Sequence, residues 1–329
     1  MATYNVYGIG AALVDTEIEV TDQDLTNLNI EKGLMTLVDE SRQHELVRGL
    51  AGNLIHSKRA SGGSACNSIF AASVFGAKTF YSCRVADDDN GHFFIDDLTV
   101  AGVNAQNVRR VEGITGKCLV LITPDAERSM NTFLGVSETL SESDVNMEAI
   151  AESEYLYIEG YLVTSDTGRA AAIKARKTAE GNGVKTAISL SDPGMVQFFK
   201  DGLREMIGGG VDLLFCNEDE AKGWAETDDL DVAVSALKKI AKAFAITLGA
   251  KGAMIFDGEK LVSIDAKPVD AIDTNGAGDM FAGAYLYGLS QGWDTKKIGA
   301  FACAAAGKVV SGFGPRLAIK EHQVLLAEA

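Results

Sequence analysis

VDAIDTNGAGDMFAGAYLYGL, Val269 to Leu289, is the stretch whose reading decides the fold. It reads as a strand end, the turn Asp273-Thr274-Asn275-Gly276, a loop of small residues, and a helix with Phe281, Ala284, Tyr285 and Leu289 on its apolar side. A glycine-rich turn that opens into a helix leaves backbone N–H groups unpaired and converging, and the helix dipole adds partial positive charge there. Such a spot holds an anion, phosphate above all. Asp279, in the first turn directly after Gly276-Ala277-Gly278, adds a carboxylate beside that anion. If the anion is a transferring phosphoryl group, Asp279 can take the proton of an attacking hydroxyl. The plain alternative is a first-turn aspartate that only complements the dipole.

Composition narrows the classes around this stretch. The chain has 329 residues, 47% of them hydrophobic, enough to bury one large α/β core. No apolar run reaches the roughly 18 residues that cross a bilayer, and MATYNVYGIG has no basic segment leading into a hydrophobic one. A cytoplasmic protein with no membrane partner is expected. Cys66, Cys83, Cys118, Cys216 and Cys303 are far apart with no C-x-x-C, which suits reduced core thiols. His44, His56, His92 and His322 are equally scattered and do not suggest a histidine-ligated metal. A formal net charge of −16 and no Lys/Arg stripe argue against nucleic acid. An anionic nucleotide would then be held by local devices: helix termini, backbone N–H groups and a divalent cation.

Working outward, Thr3 to Ile9 is a first core strand ending at Gly8-Ile9-Gly10. GIGAAL is not a dinucleotide fingerprint, because Leu13 stands where the third glycine belongs and no clean helix follows. Asp15 opens an alternating segment to Val20. Asn27 to Ile55 is mixed and polar, with one helix around Ser41 to Leu50. Ser61-Gly62-Gly63-Ser64-Ala65-Cys66-Asn67-Ser68 opens the helical run Ile69 to Phe75. There the two glycines admit a ligand close to the backbone, and Asn67 can both donate to and accept from a hydroxyl. A strand at Lys78 to Cys83, a loop from Arg84 to Gly91 and a helix from Gly91 to Ala101 follow. The run Asp87-Asp88-Asp89 reads as a solvated helix cap. Gly116 to Thr123 and Ser129 to Leu134 form two strands around the turn Pro124 to Arg128.

From Tyr155 onward, strands at Tyr155–Ile158, Thr186–Ser189, Leu213–Cys216 and Ala243–Leu248 alternate with helices around Asp166–Glu180, Met195–Ile207 and Asp231–Lys242. That pattern predicts a parallel sheet covered on both faces, with ligands beyond the strand carboxyl ends. Asn217-Glu218-Asp219-Glu220 lies at one such end. Thr247 to Ala253 is a strand and glycine turn before another strand, Met254 to Asp257. Asp294 caps an alanine-rich helix that runs to Val310 and is interrupted by Gly307.

DTNGAGD, with Asp273, Gly276, Gly278 and Asp279, resembles the C-terminal signature of the ribokinase-like (PfkB) family of carbohydrate and nucleoside kinases. GGSACNS resembles its N-terminal signature, in wording closest to the adenosine kinase branch. Matched motifs run from Gly10 to about Gly314. The resemblance implies one ribokinase-like α/β domain over residues 1–329, a central, mostly parallel sheet with helices on both faces, and a small β-sheet lid inserted from about 15–20, 55–60 and 114–135. It implies an ATP-dependent kinase acting on a primary hydroxyl, with Asp279 as base and the Gly276–Asp279 amides on the transferring group. Asp15, Gly62, Gly63, Asn67 and Arg128 are expected toward the acceptor, and Asn217, Glu220, Thr247, Gly249 and Gly252 toward the nucleotide. Mg²⁺ would be organised through water by Glu220 with Asn217, and a monovalent cation, K⁺, is a further candidate at Asp273 beside the 311–315 tail. The acceptor stays open between an adenosine-like nucleoside and a sugar (ribose, fructose or a keto-deoxy sugar acid), as does a non-catalytic nucleotide or sugar sensor. A monomer and a homodimer are both compatible with the sequence.

Overall fold

A computed structural model describes residues 2–53, 59–105 and 108–329. The lid segment expected at 55–60 therefore lies outside the described residues up to 58. The central sheet has eight strands, in the order Leu261–Ile264, Ala253–Phe256, Ala241–Thr247, Val211–Asn217, Lys185–Ser189, Ser153–Ile158, Tyr4–Ile9 and Thr79–Ser82. From Thr79–Ser82 across to Ala241–Thr247 every pairing is parallel, and the last two strands are antiparallel.

Consecutive residues in these strands go to opposite cores, as the two-residue period of a strand requires. Val6, Tyr157, Ala187, Leu213 and Ala245 pack on one face, under helices Ser64–Phe75, Ala277–Ser290 and Thr295–Val309. Tyr7, Leu156, Ile188, Leu214 and Ile246 pack on the other, under Asp166–Gly181 and Leu230–Leu237. Burial on both faces explains why the strands read as apolar runs rather than as alternations.

A second sheet of five strands, in the order Met35–Leu37, Arg128–Gly135, Thr115–Ile122, Leu13–Glu19 and Arg59–Gly62, lies over the carboxyl-end side. One face is closed by Ile18, Leu119 and Leu121 against Leu25, Leu46 and Leu50 of two short helices. The other face carries Cys118, Val120 and Ile122, with Leu13 and Met130 against them.

Several local readings change. Met35–Leu37 is a strand in a stretch read as polar loop and helix, and its three-residue length explains the miss. Arg84–Ala86, expected in a loop, pairs in parallel with Arg109–Val111. The helix expected over 231–242 ends at Leu237 because Ala241 already begins the next strand. Residues 265–272 form no strand before the Asp273 turn, and the helix Thr295–Val309 runs through Gly307 without interruption. Met195–Ile207 breaks into Pro193–Phe198 and Lys200–Ile207. Asp88 acts as the cap expected, accepting from Gly91 N at 2.7 Å. All five cysteines are buried and free of disulfides. Among the described residues, no helix is long and apolar enough to cross a membrane.

Candidate active site

The carboxyl ends of the parallel strands open into a cavity of about 420 Å³ between the two sheets. Strand ends supply Ala11, Glu159, Ser189, Asn217 and Thr247, and the lid supplies Leu13, Met35, Leu37, Arg128, Met130 and Leu134. The loop from Thr274 to Asp279 forms the floor.

Gly276 is the residue before the central helix and sits in the left-handed region at φ +73°, with no side-chain cap on the helix. A Cβ there would be strained and would collide with the Pro315 backbone, so the turn takes only glycine at this point. The uncapped first turn faces the cavity through Ala277, Gly278 and Asp279. A Cβ on Gly278 would meet nothing within 4 Å. The Ala277 amide already makes a long bond, 3.3 Å, to Thr274 O. Asp273 is wholly buried beneath the turn, its Oδ1 accepting from Asn275 N at 2.8 Å and its Oδ2 from Gly314 N at 2.9 Å. It thereby ties the tail loop to the Thr274–Asp279 loop and does not reach the cavity lining.

Asp279 is held at both oxygens. Ser64 Oγ donates to Oδ1 at 2.6 Å and Asn67 Nδ2 donates to Oδ2 at 2.9 Å. Burial raises its pKa above the ordinary carboxylate value, and the Ser64 and Asn67 hydrogen bonds oppose that rise, followed by the Arg128 and Arg316 charges. Asp15 is 5% exposed, and among the described residues no donor hydrogen-bonds its carboxylate. Burial pushes it up to about 7 against the pull of Arg316. A Cβ on Gly62 would collide with that carboxylate, so this glycine makes room for Asp15 and is not itself in the lining. Gly63 lines the cavity at φ +100°.

On the opposite side, Asn217 and Glu220 form a reciprocal cap. Glu220 N donates to Asn217 Oδ1 at 2.7 Å, and Asn217 N donates to Glu220 Oε2 at 3.1 Å. Both line the cavity, and burial raises Glu220 to about 8, with Asp192 adding to the rise. Asn217 and Glu220 both line the cavity with side-chain oxygens, the donor type a hard dication takes, in part through its own waters. The residues therefore fit Mg²⁺. Among the described residues no group of three or more His, Cys, Asp or Glu converges as a closed metal site. Thr247 and Gly249 line the cavity, whereas Gly252 only closes the turn, its N bonding Gly249 O at 3.0 Å. Arg128 is half-buried and lines the cavity, and its Nε is buried with no hydrogen-bond partner among the described residues.

Two residues that the sequence reading did not single out complete the site. Glu159, 1% exposed, accepts from Ala11 N at 3.1 Å and Ala65 N at 2.8 Å. It fixes the first strand's end against the start of the helix that carries Asn67. Its place at a strand carboxyl end was the signal available. Arg316 reaches Asn67 from the tail, 249 positions away in sequence, and nothing local announces it.

The sequence profile described as pfkB family carbohydrate kinase matches residues 35–322. The chain is 28% identical over 306 residues to an adenosine kinase of Saccharomyces cerevisiae, covering 87% of this chain and 88% of that one. Among solved structures, an adenosine kinase from Sinorhizobium meliloti superposes with a TM-score of 0.94 at 32% identity, over 100% of both chains. A probable sugar kinase protein from Rhizobium etli CFN 42 superposes at 0.92 and 32%, over 99% of this chain and 100% of that one. With the fold, the motif spacing and the profile in agreement over most of its length, the chain belongs to the pfkB family of carbohydrate kinases.

Proposed function

We propose that this phosphotransferase moves the γ-phosphoryl group of ATP to a primary hydroxyl of a nucleoside, adenosine-like first. The observation that carries the reading is that Asp279 and Asp15 open into one cavity with the anion loop on one side and an apolar lid face on the other. Asp15, with no hydrogen-bond donor among the described residues, is suited to accept from two neighbouring hydroxyls of a ribosyl group, with Gly63 and Asn67 beside it. Asp279 would take the proton of the attacking hydroxyl. The first-turn amides would meet charge developing on the transferred group. Asn217 and Glu220 would hold Mg²⁺ through water; when bound, that ion neutralises charge on the phosphates.

Leu13, Met35, Leu37, Met130 and Leu134 favour an acceptor that carries a base. A base presents apolar faces to such a wall, whereas a free sugar would bury hydroxyls against it at a cost of roughly 1–3 kcal/mol for each one left unbonded. The likeness to the Sinorhizobium meliloti adenosine kinase supports the same choice. The equal identity to the Rhizobium etli sugar kinase protein keeps a sugar acceptor as the second reading. ADP release measured over a panel of nucleosides and sugars decides between them. Turnover with adenosine-like nucleosides is expected, turnover with sugars alone would overturn the acceptor assignment, and nucleotide binding with no turnover would mark a sensor. A monovalent cation near Asp273 would share a carboxylate already accepting two amides, and replacing K⁺ with choline in that assay tests for it.

A further inference from the structure

Arg316 sits in the tail just beyond Gly314-Pro315, its side chain 7% exposed. The guanidinium lies over the Phe70 ring at 4.2 Å from the centroid. Its Nη1 donates to Ser61 Oγ at 2.7 Å and Asp97 Oδ2 at 2.9 Å, and its Nη2 to Cys66 Sγ at 3.1 Å. Ser61 Oγ in turn donates to Asp97. The remaining donor, Nε, reaches Asn67 Oδ1 at 2.8 Å. On its other side the same Asn67 amide donates Nδ2 to Asp279 Oδ2 at 2.9 Å.

An amide has one acceptor end and one donor end. A guanidinium has no acceptor, so Arg316 forces the oxygen of Asn67 toward itself and the NH₂ toward Asp279. The reversed amide would set two donors face to face at Arg316 and two acceptors face to face at Asp279. Four partners fix Arg316 in turn: the Asp97 carboxylate, the Ser61 hydroxyl, the Cys66 sulfur and the Phe70 ring. A bare lysine ammonium could not reproduce that planar fork.

We propose that Arg316 is a positioning residue for phosphoryl transfer, acting through the orientation of Asn67 to hold the Asp279 carboxylate in the direction of the acceptor hydroxyl. The inference rests on the reading of Asp279 as the base. It links the C-terminal tail to the reacting group without Arg316 touching substrate. Among the described residues, the charged groups around Asp279 are Arg128 from the lid, Arg316, Asp15 and Glu159.

The test is a double-mutant cycle between Arg316→Gln and Asn67→Ala, read with the acceptor that the wild type turns over. Arg316→Gln is expected to lower kcat roughly tenfold or more while the KM for ATP stays within about twofold. It should move the acid limb of the kcat profile to higher pH, because a cation leaves the neighbourhood of Asp279. In the Asn67→Ala background the same change should cost less than about twofold in kcat. Independent, multiplying losses, or a wild-type kcat in Arg316→Gln, would overturn the coupling. If Arg316→Gln does not fold, Arg316→Met, which likewise removes the charge and the planar fork, is put through the same cycle with the same criteria. A readout free of catalysis separates this inference from the kinase reading: ¹³C NMR titration of the Asp279 carboxyl, whose midpoint should rise on loss of Arg316 by more in the Asn67 background than in Asn67→Ala, since the through-space effect of the charge is common to both. An equal rise in both backgrounds, or an unmoved midpoint, overturns the inference. A wild type that turns over no acceptor sinks the kinase reading, and the titration then decides the coupling by itself.

Discussion

At the scale of single residues, the site separates three carboxylates by what holds them. Asp279 is gripped at both oxygens by Ser64 and Asn67, Glu159 by two backbone amides, and Asp15 by no donor among the described residues. A buried carboxylate without a donor is costly unless a ligand supplies one. Asp15→Ala is therefore expected to raise the acceptor KM by roughly 10–100-fold, since each hydrogen bond to a charged group is worth about 1.5–3 kcal/mol, with a smaller change in kcat. Steady-state kinetics over acceptor concentration checks this, and an unchanged KM would remove Asp15 from the acceptor side. Asp279 and Asp15 were legible in the sequence because each stands at a fixed offset from glycines. Glu159 was marked only by its place at a strand carboxyl end, and Arg316 by nothing local, because its partners are far along the chain and only folding brings them together.

Among the elements, the turn before the central helix carries the tightest requirement. Gly276→Ala would place a Cβ in the left-handed region and against Pro315. The backbone strain alone costs about 1–2 kcal/mol, and relieving the collision would displace the first-turn amides. Urea unfolding should show a loss of at least that size, with kcat falling in parallel. A variant as stable and as active as the wild type would contradict the role given to this turn. The same element shows where pattern reading succeeds and stops. The glycine turn and the helix after it were visible from residue types, but the strand expected just before Asp273 is absent. There Ile272 and Asp273 instead bond to Val310 O, a partner no periodicity could reveal. Met35–Leu37 escaped for a different reason. Three residues with two exposed side chains show no alternation, and what makes them a strand is pairing to Met130–Thr132 across the lid.

Over the whole molecule, the feature with the widest consequence is the number of acids buried around one cavity. Burial raises Asp15 and Glu159 to about 7 and Glu220 to about 8. Each folded value lies above its unfolded one, so the folded chain holds more protons than the unfolded chain between the two. That contribution to stability is complete below the unfolded values and is lost as pH rises through the folded ones. His322 works in the opposite sense, because burial lowers its value, but its effect is finished above its ordinary 6.5. The ligand-free protein should accordingly melt at a lower temperature at pH 8.5 than at pH 6.5. Differential scanning calorimetry at the two pH values checks it, and an equal or higher melting temperature at pH 8.5 would show that these acids are ionised at little cost. Phosphoryl transfer here depends, in the function proposed, on Asp279 taking the proton of the acceptor hydroxyl. The most direct test is the turnover of Asp279→Asn at saturating ATP and acceptor, with ATP affinity measured by calorimetry on the same preparation. A fall in kcat of roughly 10²–10⁴-fold with ATP affinity nearly unchanged is predicted; wild-type turnover by the folded variant would contradict it.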